Sequence, residues 1–317
     1  MKKGTILFIC ATLLATNTNA QVTHDADAAM HAAASKADTT GKIWTTGGVF
    51  NINFTQVNLT NWAAGGSNSI GGIAMFNGFA NKHKGKMVWD NSAVLAFGGV
   101  SQQGRDPIKT DDRIELNSKL GYELKKPWYI AGLMQFKTQF TEGFDNNSGA
   151  RISNMLSPAY LTLAIGLDYR PNDHFTAFIS PAAARIIFVN DPLMADAGAF
   201  GVDPATFDAN HVLLTRGKTS KFEFGAYARA QYQHDLAKNI TFLTRGDLYS
   251  NYLKNPQNLA VTWETLWTFK INDWFAATLN TLLLYDDQIT LIKDGGAAPG
   301  PGTQFKESLG IGLTFKL

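Results

Sequence analysis

A two-residue hydrophobic period, repeated in stretch after stretch from Trp44 to Leu317, constrains this chain more than any other feature. Successive side chains of an extended strand point to opposite faces, so this period builds strands with one apolar and one polar face. In 113–124, Ile114, Leu116, Leu120, Tyr122 and Leu124 share one face, and Arg113, Glu115, Asn117, Lys119 and Glu123 share the other. In 221–233, Phe222, Phe224, Ala226, Ala228, Ala230 and Tyr232 oppose Lys221, Glu223, Tyr227, Arg229, Gln231 and Gln233. In 259–271, Leu259, Val261, Trp263, Trp267, Phe269 and Ile271 oppose Thr262, Glu264, Thr268 and Lys270. A helix turning every 3.6 residues would mix these sets.

Strand lengths usual for barrels divide the chain into about twelve such stretches. They cover 43–60, 70–83, 87–100, 111–125, 128–142, 157–170, 174–190, 220–235, 239–252, 258–271, 274–287 and 304–317. The connections alternate. Tight turns at 84–86, 125–127, 170–173, 236–238 and 272–273 take turns with longer loops at 61–69, 101–110, 143–156, 191–219, 253–257 and 288–303. One trimmed rim and one elaborated rim is the signature of an antiparallel up-and-down barrel, and an even strand count puts both chain ends at the trimmed rim. A soluble β-sandwich has no reason to keep that order. The expected fold is therefore all-β: a transmembrane antiparallel barrel with short periplasmic turns and longer outer loops. Leu309, Ile311, Leu313, Phe315 and Leu317 carry the alternation into the last residue, a pattern similar to the signal read by the barrel-assembly machinery. Aromatic residues gather near strand ends: Trp89, Trp128, Tyr129, Tyr169 and Trp274 beside tight turns, and Phe140, Tyr160, Tyr252, Trp263 and Tyr285 nearer the loops. Girdles of this kind mark the two edges of an apolar band.

The first twenty residues read as a secretion signal: Lys2 and Lys3, a short apolar run from Ile6 to Leu14, then small and polar residues up to Ala20. That run is too short to span a bilayer as a helix. Cys10 is the chain's only cysteine, so the mature chain is expected to have no disulfide. Phe8 and Ile9 before it are poor for lipoprotein processing. Residues 21–42 read as a flexible periplasmic tail, and 43–317 as the barrel domain. His24, Asp25, Asp27 and His31 in the tail have no specific metal spacing. Charged residues make up only 17% of the chain and net charge is +2, with lysines and arginines interleaved with acids, which argues against a nucleic-acid partner. Mean hydropathy of −0.11 is too low for a helical membrane protein, but a barrel with a polar interior tolerates it.

The polar faces carry both signs of charge. Arg113, Glu115, Lys119, Lys137, Glu223, Arg229, Arg245, Asp247 and Glu264 are the candidate lumen-lining residues, with Asp168, Lys221 and Lys270 on the same faces. Antiparallel register through the turn near Lys126 brings Glu115 opposite Lys137 or within one step, and register through 253–257 brings Glu264 near Arg245 or Asp247. Such pairs either hold a barrel shut or line a watery path. Asp111 with Asp112 and Asp286 with Asp287 sit where calcium or a divalent bridge to lipopolysaccharide could bind, although two adjacent carboxylates supply too few ligands alone. No catalytic constellation is legible. His83, His174 and His234 fall at or near tight turns, His211 lies in the longest loop, and no nucleophile elbow, phosphate loop or HExxH occurs. No cofactor or metal site is expected.

Six stretches taken together resemble an uncharacterised family of exported Bacteroidota proteins, domain of unknown function 3078. They are Asn61–Ser69, Asp111–Ile114, Phe136–Phe140, Ser157–Tyr160, Gly198–Val202 and Ser250–Leu253, and the resemblance spans roughly 43–290. It implies one exported domain and an outer-membrane location, and supplies no activity and no catalytic residue. Several of these stretches fall on the long-loop side, so Trp62, Gly65, Gly66 and Phe200 are the candidate ligand or plug residues; Gly65 and Gly66 allow backbone angles that other residues avoid. The expected function is a pore or transporter for small polar or amphipathic solutes in the cell outer membrane. The alternatives are a closed structural or surface-interaction barrel, an outer-membrane lipid hydrolase, and a soluble carbohydrate-binding sandwich. Expected partners are outer-membrane lipid, lipopolysaccharide and the assembly machinery that reads the last strand.

Overall fold

The computed structural model describes residues 43–59, 67–145, 149–272, 275–289 and 300–316, with the side chains of 49, 51, 53, 278 and 308–316 outside the described ones. Residues 1–42, where the signal and tail are expected, lie outside the described residues, as do Trp62, Gly65, Gly66 and Trp274.

The chain is all-β and its pairing is antiparallel throughout. Among the described residues the long strands are β1 (Trp44–Val57), β2 (Ser69–Lys84), β3 (Met87–Gln102), β4 (Ile108–Lys125), β5 (Trp128–Thr138), β8 (Ala159–Asn172), β9 (Phe175–Phe188), β12 (Ser220–Ala237), β13 (Ile240–Asn251), β14 (Leu259–Lys270), β15 (Phe275–Tyr285) and β16 (Gln304–Lys316). Each pairs with the next, and β1 also pairs with β16 from Val49↔Lys316 to Ile52↔Leu313, so the order runs in a ring. The short connections all fall on one rim and the long ones on the other.

The long loops hold structure that the alternation could not announce, because none of it has a two-residue period. Two small hairpins, β6 (Gly143–Phe144) with β7 (Arg151–Ser153) and β10 (Thr206–Phe207) with β11 (Leu213–Thr215), stand beside a short helix, α1 (Pro192–Asp196). The stretch expected to run as a strand to 142 leaves the sheet at Thr138. The cause is Asp112, whose carboxylate accepts the backbone N–H groups of Phe140 (2.6 Å) and Thr141 (2.9 Å) and so draws that segment out of the ladder.

Burial is inverted relative to a soluble sheet protein. Along β8, Thr162, Ala164 and Asp168 are buried while Leu163, Ile165 and Leu167 are exposed, Ile165 by 66%. Along β12, Glu223, Tyr227 and Gln231 are buried and Phe222, Phe224 and Tyr232 are exposed. Aromatic side chains ring the outer face at both ends. Trp44 packs on Trp89 (5.6 Å between centroids) and Trp128 on Tyr169 (4.6 Å) at the tight-turn rim; Phe97 meets Phe140 (6.4 Å) and Phe224 meets Tyr252 (6.1 Å) at the loop rim. The Trp89 and Trp263 indole N–H groups donate to the hydroxyls of Ser118 and Thr244, each at 2.9 Å, so neither needs water.

Several ladders of the ring carry a register break, and two of these breaks fall at crowded glycines. The β9–β12 and β8–β9 ladders shift at Gly225 and beside Gly166, and a β-carbon at either glycine would strike the Ser250 or Ile179 carbonyl. Gly132, by contrast, has open space at that position. Gly225→Ala is expected to destabilise the fold by about 1–3 kcal/mol through overpacking, and Gly132→Ala to change it by well under about 1 kcal/mol. Denaturant unfolding of the two variants in one detergent checks this.

Candidate functional site: a charged interior and its cover

All nine candidate lumen residues lie on strands of the ring, and the register brings them together. Glu115 pairs directly with Lys137, and Arg245 directly with Glu264, which selects one partner from each set that the connections allowed. Three charged groups can be distinguished. Near the tight-turn rim, Asp168 is fully buried and receives Lys119 Nζ (3.0 Å) and Arg170 Nε (2.6 Å), while Arg170 reaches on to Asp90 (2.8 Å). Arg170 also lies 5.3 Å from the Tyr129 ring centroid. Asp90 and Arg170 are eighty residues apart in sequence, and only the curvature of β3, β4, β5 and β8 makes them neighbours.

At mid-height, Arg229 grips Asp247 through Nε (2.5 Å) and a second nitrogen (3.0 Å), and the Tyr227 hydroxyl donates to the same carboxylate (2.7 Å). Arg245 binds Glu264 (3.0 Å). Glu115 accepts from the side-chain amides of Asn117 (3.1 Å) and Gln135 (3.4 Å), with Lys137 at 4.0 Å. Breaking one partner of a buried pair like Arg229–Asp247 typically costs about 3–5 kcal/mol, because the other charge is left unsolvated.

Toward the loop rim, Glu223 is fully buried between Arg185 (2.6 Å) and Lys221 (2.9 Å), and the Gln288 amide donates to it at 2.7 Å. Lys221 also donates to the Gln288 side-chain carbonyl. Arg185 extends to Asp286 (3.4 Å), just past the end of β15 and four strands away around the ring. Lys306 on β16 similarly faces Asp111 on β4 at 3.8 Å, across β1, β2 and β3. These contacts bridge the loop-side mouth. They also give the acidic pairs separate tasks: Asp111 faces Lys306, Asp112 caps a loop, Asp286 binds Arg185, and Asp287 accepts from Asn258 (2.7 Å).

The longest loop sits on this mouth. Met194, Ala195 and Val202 are buried with Ile187 and Val189, and Tyr160, Ala199 and Phe200 pack against them. Phe200 is thus a cover residue, held at a positive φ of 56°. Asp191 anchors the loop. Its carboxylate caps α1 at Leu193 N (3.0 Å) and Met194 N (3.3 Å) and receives Asn154 (3.0 Å) and Arg151 (2.8 Å). Its own N–H donates to the Ser157 hydroxyl (2.7 Å). No sequence pattern announced this anchor, although an aspartate directly before a proline and a short apolar run is a helix-start signal. Among the described residues the histidines form no comparable centre: His174 and His234 stack edge-to-face at the tight-turn rim, with the His174 Nδ1 against the Gln233 carbonyl.

A family profile described as "Protein of unknown function (DUF3078)" matches residues 54–144, a narrower span than the 43–290 of the resemblance. No curated protein matches the chain. Among solved structures, the NanC porin in a rhombohedral crystal form is similar with a TM-score of 0.37 and 11% identity, over 86% of this chain and 100% of that one. The translocator domain of the autotransporter NalP from Neisseria meningitidis gives 0.40 and 8%, over 91% and 94%. An outer membrane channel from Pseudomonas putida F1 gives 0.39 and 11%, over 86% and 95%. These likenesses assign no solute and no activity.

The hydrogen bond from Asn154, then the ion-paired bond from Arg151 and the two backbone donors, hold the Asp191 carboxyl at about 2, below its ordinary 3.8. A depressed folded value means the anchorage is complete above the ordinary value and is lost as pH falls through about 2. Asp191→Ala removes the cap and both side-chain partners. Amide exchange at Leu193 and Met194 is expected to speed up about tenfold or more at neutral pH, while amides of the Arg229–Asp247 ladder keep their protection.

Proposed function

We propose that the chain is an exported outer-membrane β-barrel of twelve spanning strands, and that its polar interior is a passage for small hydrophilic solutes, shut at the outer mouth by the loop at 191–219. The observation that carries this reading is the inverted burial. Strands of 11 to 18 residues turn Leu163, Ile165, Ile179, Phe222 and Trp263 outward, and enclose Glu115, Asp168, Glu223, Asp247 and Glu264. Spanning strands need roughly 9–11 residues, and a sheet closed on itself satisfies its backbone polar groups where no water is present. Enclosing so many charges is reasonable only if their surroundings are partly wet. Asp90, Lys119 and Lys137 keep 19–31% of their side-chain surface accessible, as a watery interior requires. Outer-membrane lipid and lipopolysaccharide are the surroundings this reading calls for, with the assembly machinery acting on β16.

A closed structural barrel is the second reading, and one observation favours it. Ala131, Leu133, Ala164, Phe178, Ala183, Tyr227 and Tyr249 form a packed apolar cluster inside the ring. Planar-bilayer recording separates the two. The Val189 N–H bonds the Thr219 carbonyl (2.8 Å), so the ends of the cover loop are adjacent and a short turn can replace 191–217. The wild type is expected to give rare, brief openings and the trimmed variant a steady current. If the trimmed barrel, shown folded by its β-sheet circular dichroism, carries no current at any voltage, the structural reading replaces the passage.

A further inference from the structure

We propose that Arg113 and Lys137 form a binding point inside the ring for a small oxyanion, a carboxylate or phosphate group, and that the passage thereby favours anionic solutes. The binding point needs no open channel; only its use in selecting solutes rests on the passage proposed above.

Glu115↔Lys137 is a direct cross-strand pair of β4 and β5, and Arg113 lies two residues before Glu115 on the same inward face. Arg113 and Lys137 are therefore diagonal neighbours, roughly 7–8 Å apart at their backbones and within joint reach of one ligand. The other interior arginines each hold a carboxylate at close range: Arg170 on Asp168 (2.6 Å), Arg185 on Glu223 (2.6 Å), Arg229 on Asp247 (2.5 Å) and Arg245 on Glu264 (3.0 Å). Arg113 is different. Its Nε is buried without an acceptor, and it makes no ion pair among the described residues, although the side chain as a whole stays partly exposed. Lys137 is only loosely held, 4.0 Å from a Glu115 carboxylate that already accepts two amide donors.

Charge gives the same answer. Around Glu115 stand four cations, Arg113, Lys137, Arg229 and Arg245, against three carboxylates, Glu115, Asp247 and Glu264, an excess of one positive charge. A guanidinium cannot shed its proton, and an enclosed charge without a counter-charge is costly. Its planar fork fits two oxygens of a carboxylate or phosphate, with the lysine ammonium as a second point charge. An oxyanion entering from the interior water completes this group.

Inorganic phosphate is the probe, with thermal unfolding of the detergent-solubilised protein as the readout against chloride at equal ionic strength. Saturating phosphate is expected to raise the wild-type midpoint by roughly 2–5 °C. Arg113→Gln and Lys137→Gln lose most of that rise, and Arg113→Lys keeps part of it. Without phosphate, Arg113→Gln unfolds no earlier than wild type, because it removes an uncompensated charge. No rise in wild type, or an equal rise in Arg113→Gln, overturns the binding point. Zero-current potentials of the trimmed barrel in a potassium chloride gradient test its use. A chloride preference that falls in Arg113→Gln supports it, and a current with no anion preference overturns the selectivity while leaving the passage intact. Absence of current overturns the passage and, with it, the selectivity; the binding point is then judged by the phosphate result alone.

Discussion

A backbone N–H or carbonyl without a partner costs several kcal/mol wherever water is absent, and the arrangement of this chain follows from that cost. A row of strands has two open edges. Here β1 and β16 meet through Val49–Ile52 and Leu313–Lys316, and the edges pair with each other. Once the sheet curves round to do this, its two faces are no longer equivalent. One is convex and faces the surroundings; the other is concave and confines its side chains to a common interior. The two-residue period then decides which residues go where, and a slip of one residue on any strand would exchange them.

Confinement explains the interior chemistry. Asp168, Glu223 and Asp247 could not be enclosed singly, and each is met by at least one basic side chain and a further donor. Many of these links join strands that are not adjacent. Arg170–Asp90, Arg185–Asp286 and Lys306–Asp111 pass over two or more intervening strands and tie distant parts of the wall together. The interior charges therefore work as cross-braces as well as lining. The loop anchored by Asp191 continues the bracing at the mouth, where apolar contacts of Met194 and Val202 with Ile187 take over from ion pairs.

Much of this was legible in the residues. The alternation located the long strands to within a few positions, as in 87–100 against Met87–Gln102 and 258–271 against Leu259–Lys270. Connection positions brought Glu115 to Lys137 within one step and Glu264 to Arg245 or Asp247, and the ladders choose Lys137 and Arg245, because a connection limits which residues can face each other. Contacts that depend on curvature were not legible: no local pattern brings Arg170 to Asp90 or Arg185 to Asp286. Nor were the parts without a period. α1 and the hairpins of β6 with β7 and β10 with β11 owe their form to caps and bridging side chains scattered over distant loops. Phe200 was marked as a plug residue by its loop's length, but the apolar cluster it packs against combines Ile187 from β9 with Val189, Met194, Ala195 and Val202 of the loop.

In the proposed barrel the apolar face of these strands meets hydrocarbon and the charged face meets water. Nitroxide labels placed one at a time along β8, at 161 through 168, test it in lipid vesicles through collisions with oxygen and with a water-soluble nickel chelate. Labels at Leu163, Ile165 and Leu167 are expected to collide mainly with oxygen, and those at Thr162, Ala164 and Asp168 to be shielded from it. Labels at Leu163, Ile165 and Leu167 that were shielded from both reagents, while those at Thr162 and Asp168 stood in bulk water, would contradict it.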